Sequence, residues 1–168
     1  TVSASVANEY HRKYGISMQV IRNLPFRSEN LQPLFSVKRN NESLIIYQGS
    51  LNMGRGLELI IRAMQYIENS RLYIIGTGDI EKDLKGLARS LALDEKVCFT
   101  GRIPAGELPA YTIQADLGVS LEEKLGLNYY YALPNKLFDY IQARIPVLVA
   151  DLPEMKEVVQ HYKIGKVT

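Results

Sequence analysis

Cysteine is nearly absent from the sequence, which has a single example, Cys98, among its 168 residues. One cysteine excludes an internal disulfide, and no group of Cys and His residues has the spacing of metal ligands. These absences favour a reducing, cytoplasmic setting and predict no resident metal ion.

Long apolar runs and blocks of like charge are also missing. The longest apolar runs, such as VLVA and LIIY, are far shorter than the roughly 18 residues that a membrane-spanning helix needs, and the N-terminus lacks the layout of a signal peptide. The 20 Lys and Arg residues nearly balance the 18 Asp and Glu residues and are scattered along the chain. The composition therefore predicts no membrane span and gives no reason to expect a nucleic-acid partner.

Most of the chain alternates short β-branched runs with longer amphipathic segments. Because 46% of its residues are hydrophobic, it has enough apolar material for the core of a domain. The alternation predicts an α/β fold in which helices flank a parallel sheet. The predicted strands occupy residues 43–49, 71–79, 96–101, 116–121 and 146–150, and the predicted helices occupy residues 56–67, 80–93, 105–115, a segment that starts near 135, and 153–162.

The first 42 residues have a different pattern. Residues 2–15 have helical periodicity, and residues 18–25 are typical of a strand that ends at an Asn-Leu-Pro sequence. Residues 26–42 are polar and rich in turn formers, as expected of a linker. We therefore expect the chain to begin in one βα domain and to continue into another.

Candidate binding residues follow the predicted strands, because open parallel sheets bind ligands beyond the carboxyl ends of their strands. The turn after the first strand, GSLNMGRG, contains Gly49, Gly54, Gly56 and the cation Arg55. Glycines let a phosphate approach the backbone, and a guanidinium can bind two phosphate oxygens. Glycines at such turns are more often needed for positive φ, however, so this loop alone does not identify a phosphate site.

The helix that starts near residue 135 offers a second anion site. Its first turn, capped by Asn135 or a near neighbour, presents free N–H groups and the positive end of the helix dipole to the ligand side of the sheet. Lys136 adds a full positive charge, which suits a pyrophosphate. Asp139 could accept hydrogen bonds from a ribose or could interact with the dipole alone, and the residues leave both interpretations open.

Four segments, taken in order, resemble the C-terminal nucleotide-sugar-binding domain of GT-B-fold glycosyltransferases, especially the glycosyl transferases group 1 (family 4-like) class. The resemblance covers nearly the whole chain and implies a Rossmann-like fold. It also implies that residues 1–25 end the N-terminal acceptor domain, that 26–42 form the interdomain linker, and that 43–168 form a donor-binding domain truncated at its C-terminus. The segments are YQGSLNMGRGLELIIRAM, LYIIGTGD, VCFTGRIPAGELPAYTIQADLGVSL and LPNKLFDYIQARIPVLVADLPEMKEVV.

The resemblance implies roles for individual residues. Arg55 and Lys136 would bind the donor diphosphate and stabilise its charge as it leaves, and Glu123, the third catalytic candidate, would lie near the sugar. Asp139 would contact the ribose. The family usually has an arginine where this chain has Ser50, and a glutamate where it has Asp139. Further contacts to the donor are expected from Gly49, Ser50, Gly54, Gly76, Gly78, Gly101, Arg102, Ile103, Pro134 and Asn135.

The implied reaction moves a hexose-type sugar from a UDP-, GDP- or ADP-sugar to an acceptor hydroxyl with retention of configuration, without a required metal or other cofactor. A sugar or lipid-linked acceptor would bind to the N-terminal domain. The resemblance allows peripheral membrane association of the full-length enzyme and a place in polysaccharide or glycoconjugate biosynthesis. We expect the 168-residue chain alone to be inactive.

Two other functions stay open at this point. Ser50 and Asp139 favour an inactive GT-B-like interaction module that uses its tyrosine-rich loop as a partner surface. The other alternative is a nucleotide-sugar epimerase of the same fold.

Overall fold

The computed structural model describes residues 1–25, 32 and 41–168, so most of the linker predicted over 26–42 lies outside the described residues. The described part of the chain contains both helices and strands. The helices are α1 (Ala4–Tyr14), α2 (Leu57–Ala63), α3 (Glu81–Ser90), α4 (Leu108–Thr112), α5 (Leu127–Tyr130), α6 (Asn135–Gln142) and α7 (Pro153–Tyr162), and the strands are β1 (Ser43–Gln48), β2 (Ser70–Ile75), β3 (Val97–Gly101), β4 (Leu117–Ser120), β5 (Val147–Val149) and β6 (Gly165–Val167).

The strands form one sheet of six, in the order β3-β2-β1-β4-β5-β6, and every pairing is parallel. The predicted α/β architecture, a parallel sheet flanked by helices, is therefore confirmed. The sequence pattern does not predict α5 or β6, which have only four and three residues. Neither element is long enough to show a hydrophobic period.

Two cores, one on each face of the sheet, explain why residues 44–47 of the central strand β1 are all apolar. Successive strand residues point to opposite faces, and Ile45 of β1 belongs to the core beneath α2 and α3 while Ile46 belongs to the core beneath α6 and α7. The helices contribute buried residues such as Leu57 and Leu84 to the first core and Leu137 to the second. Parallel sheets are typically covered in this way on both faces.

The N-terminal segment differs from the prediction at one element. Helix α1 is present as expected, and its first turn is tied to α7 because the Ser5 N–H donates to Glu154 Oε1 at 2.8 Å. The strand predicted over 18–25 is wrong, because residues 15–25 contain no helix or strand. A strand needs a neighbouring strand for its hydrogen bonds, and none of the described strands pairs with this segment.

Strands β1 and β4 are neighbours at the centre of the sheet, where the strand order reverses. Helix α6 crosses this point through Tyr140, whose buried hydroxyl accepts from the Gln48 N–H at 3.3 Å and lies 3.3 Å from the carbonyl oxygen of Ile46 and 3.2 Å from that of Val119. The ring lies directly on Gly118, where an added Cβ would be only 2.5 Å from ring carbons. The position of α6 over the sheet therefore depends on residue 118 being a glycine, which has no side chain.

Gly118→Ala is expected to lower the free energy of unfolding by about 1–3 kcal/mol, the usual cost of overpacking a core. Gly86→Ala is the matched control, because an added Cβ on this residue of α3 meets nothing within 4 Å. The control should gain about 0.5–1 kcal/mol from reduced chain entropy. Urea unfolding measures both variants, and a Gly118→Ala protein as stable as the unchanged chain would contradict the close packing of α6.

Candidate functional site

The candidate site lies beyond the carboxyl ends of β1 and β4. The loop after β1, residues 49–56, meets the loop after β4, residues 121–134, at this point. The Glu123 N–H donates to the Gly54 carbonyl at 2.9 Å, and an added Cβ at Gly54 would lie 2.5 Å from Leu125 Cδ1. The reversal of strand order here creates the crevice in which open α/β sheets bind their ligands.

The glycine turns after β1, β2 and β3 lie against one another. The Gly76 N–H donates to the Gly101 carbonyl at 2.9 Å, and an added Cβ at Gly76 would lie 1.9 Å from the Gly49 carbonyl oxygen. An added Cβ at Gly78 would lie 2.4 Å from the Leu51 carbonyl oxygen. Close contact between backbones therefore requires glycine at positions 76 and 78, and the structure brings these predicted residues together at one edge of the crevice.

A buried ion cluster lies between the two loops. The Glu122 carboxylate is 2% exposed, and its Oε1 is 2.8 Å from Lys136 Nζ and 3.8 Å from an Arg55 guanidinium nitrogen. Its Oε2 accepts a hydrogen bond from Ser120 Oγ at 2.7 Å. Lys136 is 8% exposed, and its Nζ lies 4.0 Å from the centre of the Tyr47 ring. Two cations therefore share one buried carboxylate.

Burial and charge shift the pKa values of this cluster in opposite directions. Burial alone would raise the pKa of Glu122, but the charge of Lys136 and the Ser120 hydroxyl outweigh it and hold that pKa below its ordinary value. Burial lowers the pKa of Lys136, and its attraction to Glu122 offsets this effect only in part. The lysine is thus under-compensated in the free protein.

The charges of the cluster do not balance. Its two cations and one carboxylate leave an excess of one positive charge, and Arg55 Nε and Lys136 Nζ are buried without a well-oriented hydrogen-bond acceptor. Helix α6 begins beside them with Pro134 as its N-cap, and no side chain caps its first turn. Free N–H groups, a helix dipole and buried cations together favour an anion of phosphate size.

Asp139 follows Lys136 by one turn of α6 and belongs to a chain of hydrogen bonds that crosses three elements. Gln48, at the end of β1, donates from Nε2 to Asp139 Oδ2 at 2.7 Å. Thr112, at the end of α4, donates from Oγ1 to Gln48 Oε1 at 2.8 Å. Burial raises the pKa of Asp139, and the hydrogen bond from Gln48 lowers it without cancelling that effect.

The other predicted residues surround this centre. Ser50, Arg102 and Glu123 are exposed, and Ile103 packs against the core beneath α6 and α7. Asn135 is the first residue of α6, and the neighbouring Pro134, not Asn135, is its N-cap. The structure therefore gathers Gly49, Gly54, Arg55, Gly76, Gly78, Gly101, Pro134, Asn135, Lys136 and Asp139 around the crevice, with Ser50, Arg102 and Glu123 exposed near its rim.

Sequence reasoning does not identify three residues of the site. Gln48 is a polar residue at the end of an apolar strand, which is a recognisable signal. Glu122 follows Ser120 by two positions, and the strand period of two places both on one face, so this spacing was a second signal. Thr112 lies in a short helix far from the glycine loops in sequence, and no pattern connects it with them.

The tyrosine run, for which the sequence predicts no single role, packs over the same cluster. The Tyr129 ring centre lies 5.3 Å from the Arg55 guanidinium carbon. Tyr130 lies beside Lys124, with 4.2 Å between the ring centre and Nζ, and its ring centre is 4.9 Å from that of Tyr131. Tyr129 is therefore the tyrosine of this run that contacts Arg55.

Membrane-spanning helices and clusters of metal ligands are both absent from the described ranges 1–25, 32 and 41–168. No helix there is both long and apolar enough to cross a bilayer. The same ranges hold no group of three or more His, Cys, Asp or Glu side chains placed to bind a metal ion.

The family model described as Glycosyl transferases group 1 matches residues 31–168. The chain belongs to this family. An uncharacterized glycosyltransferase of Methanocaldococcus jannaschii is 30% identical to this glycosyltransferase domain over 128 residues, which are 73% of this chain and 31% of that protein. The chain thus spans less than a third of the length of this curated relative.

Solved structures agree on the fold. Sucrose-phosphate synthase of Thermosynechococcus elongatus superposes with a TM-score of 0.73 at 20% identity, over 99% of this chain and 44% of that one. An Anabaena protein in complex with UDP and glucose superposes with a TM-score of 0.62 at 16% identity, over 99% of this chain and 39% of that one. The C-terminal domain of a Francisella tularensis group 1 glycosyl transferase gives 0.56 at 17% identity, over 76% and 67%. The Rossmann-like C-terminal domain of the GT-B fold is therefore confirmed.

Glu122→Gln in this glycosyltransferase domain is expected to lower the free energy of unfolding by about 3–5 kcal/mol, because the buried Lys136 and the half-buried Arg55 lose their counter-charge. Glu123→Gln makes the same chemical change at the adjacent, exposed residue and should stay within about 0.5 kcal/mol of the unchanged chain. Urea unfolding at neutral pH measures both. Equal effects of the two substitutions would show that Glu122 does not compensate the cations.

The unchanged chain and Glu122→Gln can also be compared as a function of pH. The pKa of Glu122 is lower in the folded chain than its ordinary value of 4.5, so its contribution to stability is complete above that pH and is lost as the pH falls towards the folded-state pKa. The stability difference between the unchanged chain and Glu122→Gln should shrink over this acid range.

Proposed function

We propose that this domain binds the nucleotide diphosphate sugar donor of a glycosyltransferase that transfers a hexose-type sugar with retention of configuration. The observation that carries the proposal is the buried cluster of Arg55, Lys136 and Glu122, with its excess positive charge, beside the uncapped start of α6. A diphosphate supplies both the negative charge and the hydrogen-bond acceptors that this cluster lacks. Membership of the glycosyl transferases group 1 family supports a sugar-transfer reaction.

In the proposed reaction, the acceptor hydroxyl oxygen bonds to the anomeric carbon as the bond between that carbon and the diphosphate oxygen breaks. Negative charge grows on the diphosphate oxygen, and the leaving diphosphate takes up the proton of the acceptor hydroxyl. Arg55, Lys136 and the first N–H groups of α6 stabilise that charge, since donors held in place before the reaction stabilise it at the least cost. We assign Glu123 to the sugar, because its side chain is exposed whereas Glu122 is engaged by both cations. The proposal requires no metal or other cofactor.

The rest of the donor is proposed to extend along the crevice. Asp139 accepts hydrogen bonds from ribose hydroxyls, and the backbone of Gly101, Arg102 and Ile103 contacts the base. UDP, GDP and ADP are the candidate nucleotides. UDP is the first probe, because the Anabaena protein of similar fold is in complex with UDP and glucose.

Acceptor recognition is proposed to need further protein. This proposal is supported by the share of the Methanocaldococcus jannaschii relative that this chain spans, which is 31% of its length. We propose an N-terminal domain that ends in residues 1–25, is joined through 26–42, and binds a sugar or lipid-linked acceptor. The whole enzyme is proposed to be cytoplasmic, to associate peripherally with a membrane, and to act in polysaccharide or glycoconjugate biosynthesis.

An inactive interaction module is the second candidate. Ser50 stands where the family usually has an arginine, and the exposed apolar residues Met53 and Leu125 lie on either side of Gly54 at the rim of the crevice. A nucleotide-sugar epimerase would use the same donor site. Analysis of the products of the full-length protein separates the three: transferred sugar, epimerised sugar, or neither.

Arg55→Ala and Lys136→Met are each expected to weaken binding of a nucleoside diphosphate about ten- to hundredfold, the equivalent of one charge-assisted hydrogen bond. Isothermal titration calorimetry with UDP, GDP and ADP measures this. Arg62→Ala, which removes an exposed cation of α2, is the control and should bind as the unchanged chain does. If the unchanged chain binds none of the three nucleotides, or if both site variants bind as tightly as the control, the donor site is misassigned.

The isolated 168-residue chain is expected to bind the nucleotide without transferring sugar, because the acceptor and the closing half of the cleft are supplied elsewhere. A radiolabelled donor assay compares the isolated chain with the full-length protein. Sustained transfer by the isolated chain would contradict the need for a second domain.

A further inference from the structure

Gln48 occupies an unusual position for a polar side chain. It is the last residue of β1, it is 3% exposed, and its amide lies between α4 and α6. Its backbone N–H is also engaged, because it donates to the Tyr140 hydroxyl at 3.3 Å. A buried amide with both of its side-chain groups bonded is held in one orientation.

The orientation of this amide follows from its two partners. The Asp139 carboxylate can only accept, so the Gln48 Nε2 group must face it. The Thr112 hydroxyl lies 2.8 Å from Gln48 Oε1 and 2.9 Å from the Leu108 carbonyl oxygen. Because Oε1 carries no hydrogen, the single hydrogen of the hydroxyl is donated to it or shared between the two oxygens. Asp139 therefore sets the orientation of the amide, and the hydrogen bond from Thr112 holds it there.

We propose that Gln48, held in place by Thr112, is a positioning residue that holds the Asp139 carboxylate for the two hydroxyls of the donor ribose. This inference rests on the proposed donor site. Gln48 occupies Asp139 Oδ2, and no donor in the described part of the chain occupies Oδ1. One oxygen is thus anchored to the sheet while the other is available to the ribose.

The hydrogen bond from Gln48 restricts the Asp139 carboxylate before any ligand binds. A carboxylate with two rotatable bonds loses less entropy on binding when one oxygen is already fixed. Gln48 also favours the ionised form, because its hydrogen bond lowers the pKa of a carboxyl that burial raises. Of the neighbouring groups, Lys136 is paired with Glu122, and burial raises the pKa of Tyr140 well above its ordinary value, so that Tyr140 stays neutral.

The test compares three probes on the same proteins by calorimetry: a nucleoside diphosphate, first UDP and then GDP and ADP, its 2′-deoxy analogue, and inorganic pyrophosphate. Gln48→Met keeps the length of the side chain and removes both hydrogen bonds, and Thr112→Val removes only the hydroxyl that holds the amide in its orientation. Gln65→Met makes the same change on the exposed surface of the domain and is the control. Melting curves establish that each variant is folded.

Gln48→Met should weaken binding of the nucleoside diphosphate about five- to tenfold, the equivalent of one hydrogen bond. It should change binding of pyrophosphate less than about twofold. The loss should be smaller for the 2′-deoxy analogue, and Thr112→Val should show a weaker form of the same selectivity. The acid limit of nucleotide binding should move to higher pH in Gln48→Met, because Asp139 loses the hydrogen bond that lowers its pKa.

Each other outcome overturns the inference. If Gln48→Met weakens binding of pyrophosphate as much as binding of the nucleotide, Gln48 acts on the fold and not on the ribose contact. The same conclusion follows if it weakens binding of the ribose and deoxyribose nucleotides equally. If Gln48→Met does not fold, Thr112→Val decides by the same comparison. If the unchanged chain binds pyrophosphate but no nucleoside diphosphate, or binds neither, the proposed donor site fails first, and the role of Gln48 fails with it.

Discussion

The pairing of β1 with β4 is the contact on which the rest of the molecule depends. Every strand is parallel, so this pairing brings the loop that contains Arg55 and the loop that contains Glu122 to the same edge of the sheet. Crossovers run away from it in both directions, which places α2 and α3 on one face and α6 and α7 on the other. Helix α6 can then begin at the carboxyl end of β4, and Gly118 lets Tyr140 hold it close to the strands. The location of the site is therefore determined by the order of the strands and not by any single side chain.

Burying Glu122 with two cations has a cost as well as a use. Desolvation of three charged groups is expensive, and ion pairs of this kind often contribute little to stability compared with an apolar core. Burial also lowers the pKa of Lys136 in the free protein, and Glu122 offsets this effect only in part. An anion bound at the proposed site would relieve both costs. A ligand that binds only the folded chain raises the free energy of unfolding. The uncompensated charge of the free site would thus also be the source of its affinity for an anion.

The elements with strong hydrophobic periods were predictable from the sequence, and the parallel α/β sheet follows from their alternation. What the sequence could not show depends on tertiary contact. A three-residue strand such as Gly165–Val167 has no period of its own and exists because β5 supplies its partner. Conversely, residues 18–25 have a strand-like pattern without a partner in the described sheet. In the site, Arg55 and Lys136 could be identified from single loops, whereas choosing Glu122 over Glu123 as their partner required knowing which of two adjacent carboxylates points inward.

In the proposed donor site, Ser50 limits how strongly this domain would hold a diphosphate by itself. Two phosphate groups carry at least two negative charges, while the cluster offers an excess of one positive charge and the start of α6 adds about half a charge. The neutralisation is therefore incomplete, because the position where the family usually has a second cation of the glycine loop is an exposed serine. In the proposed reaction, tight binding of the leaving group would need further donors from a facing protein surface. Weak binding of the donor, with stabilisation completed when the cleft closes, would favour the transition state over the ground state.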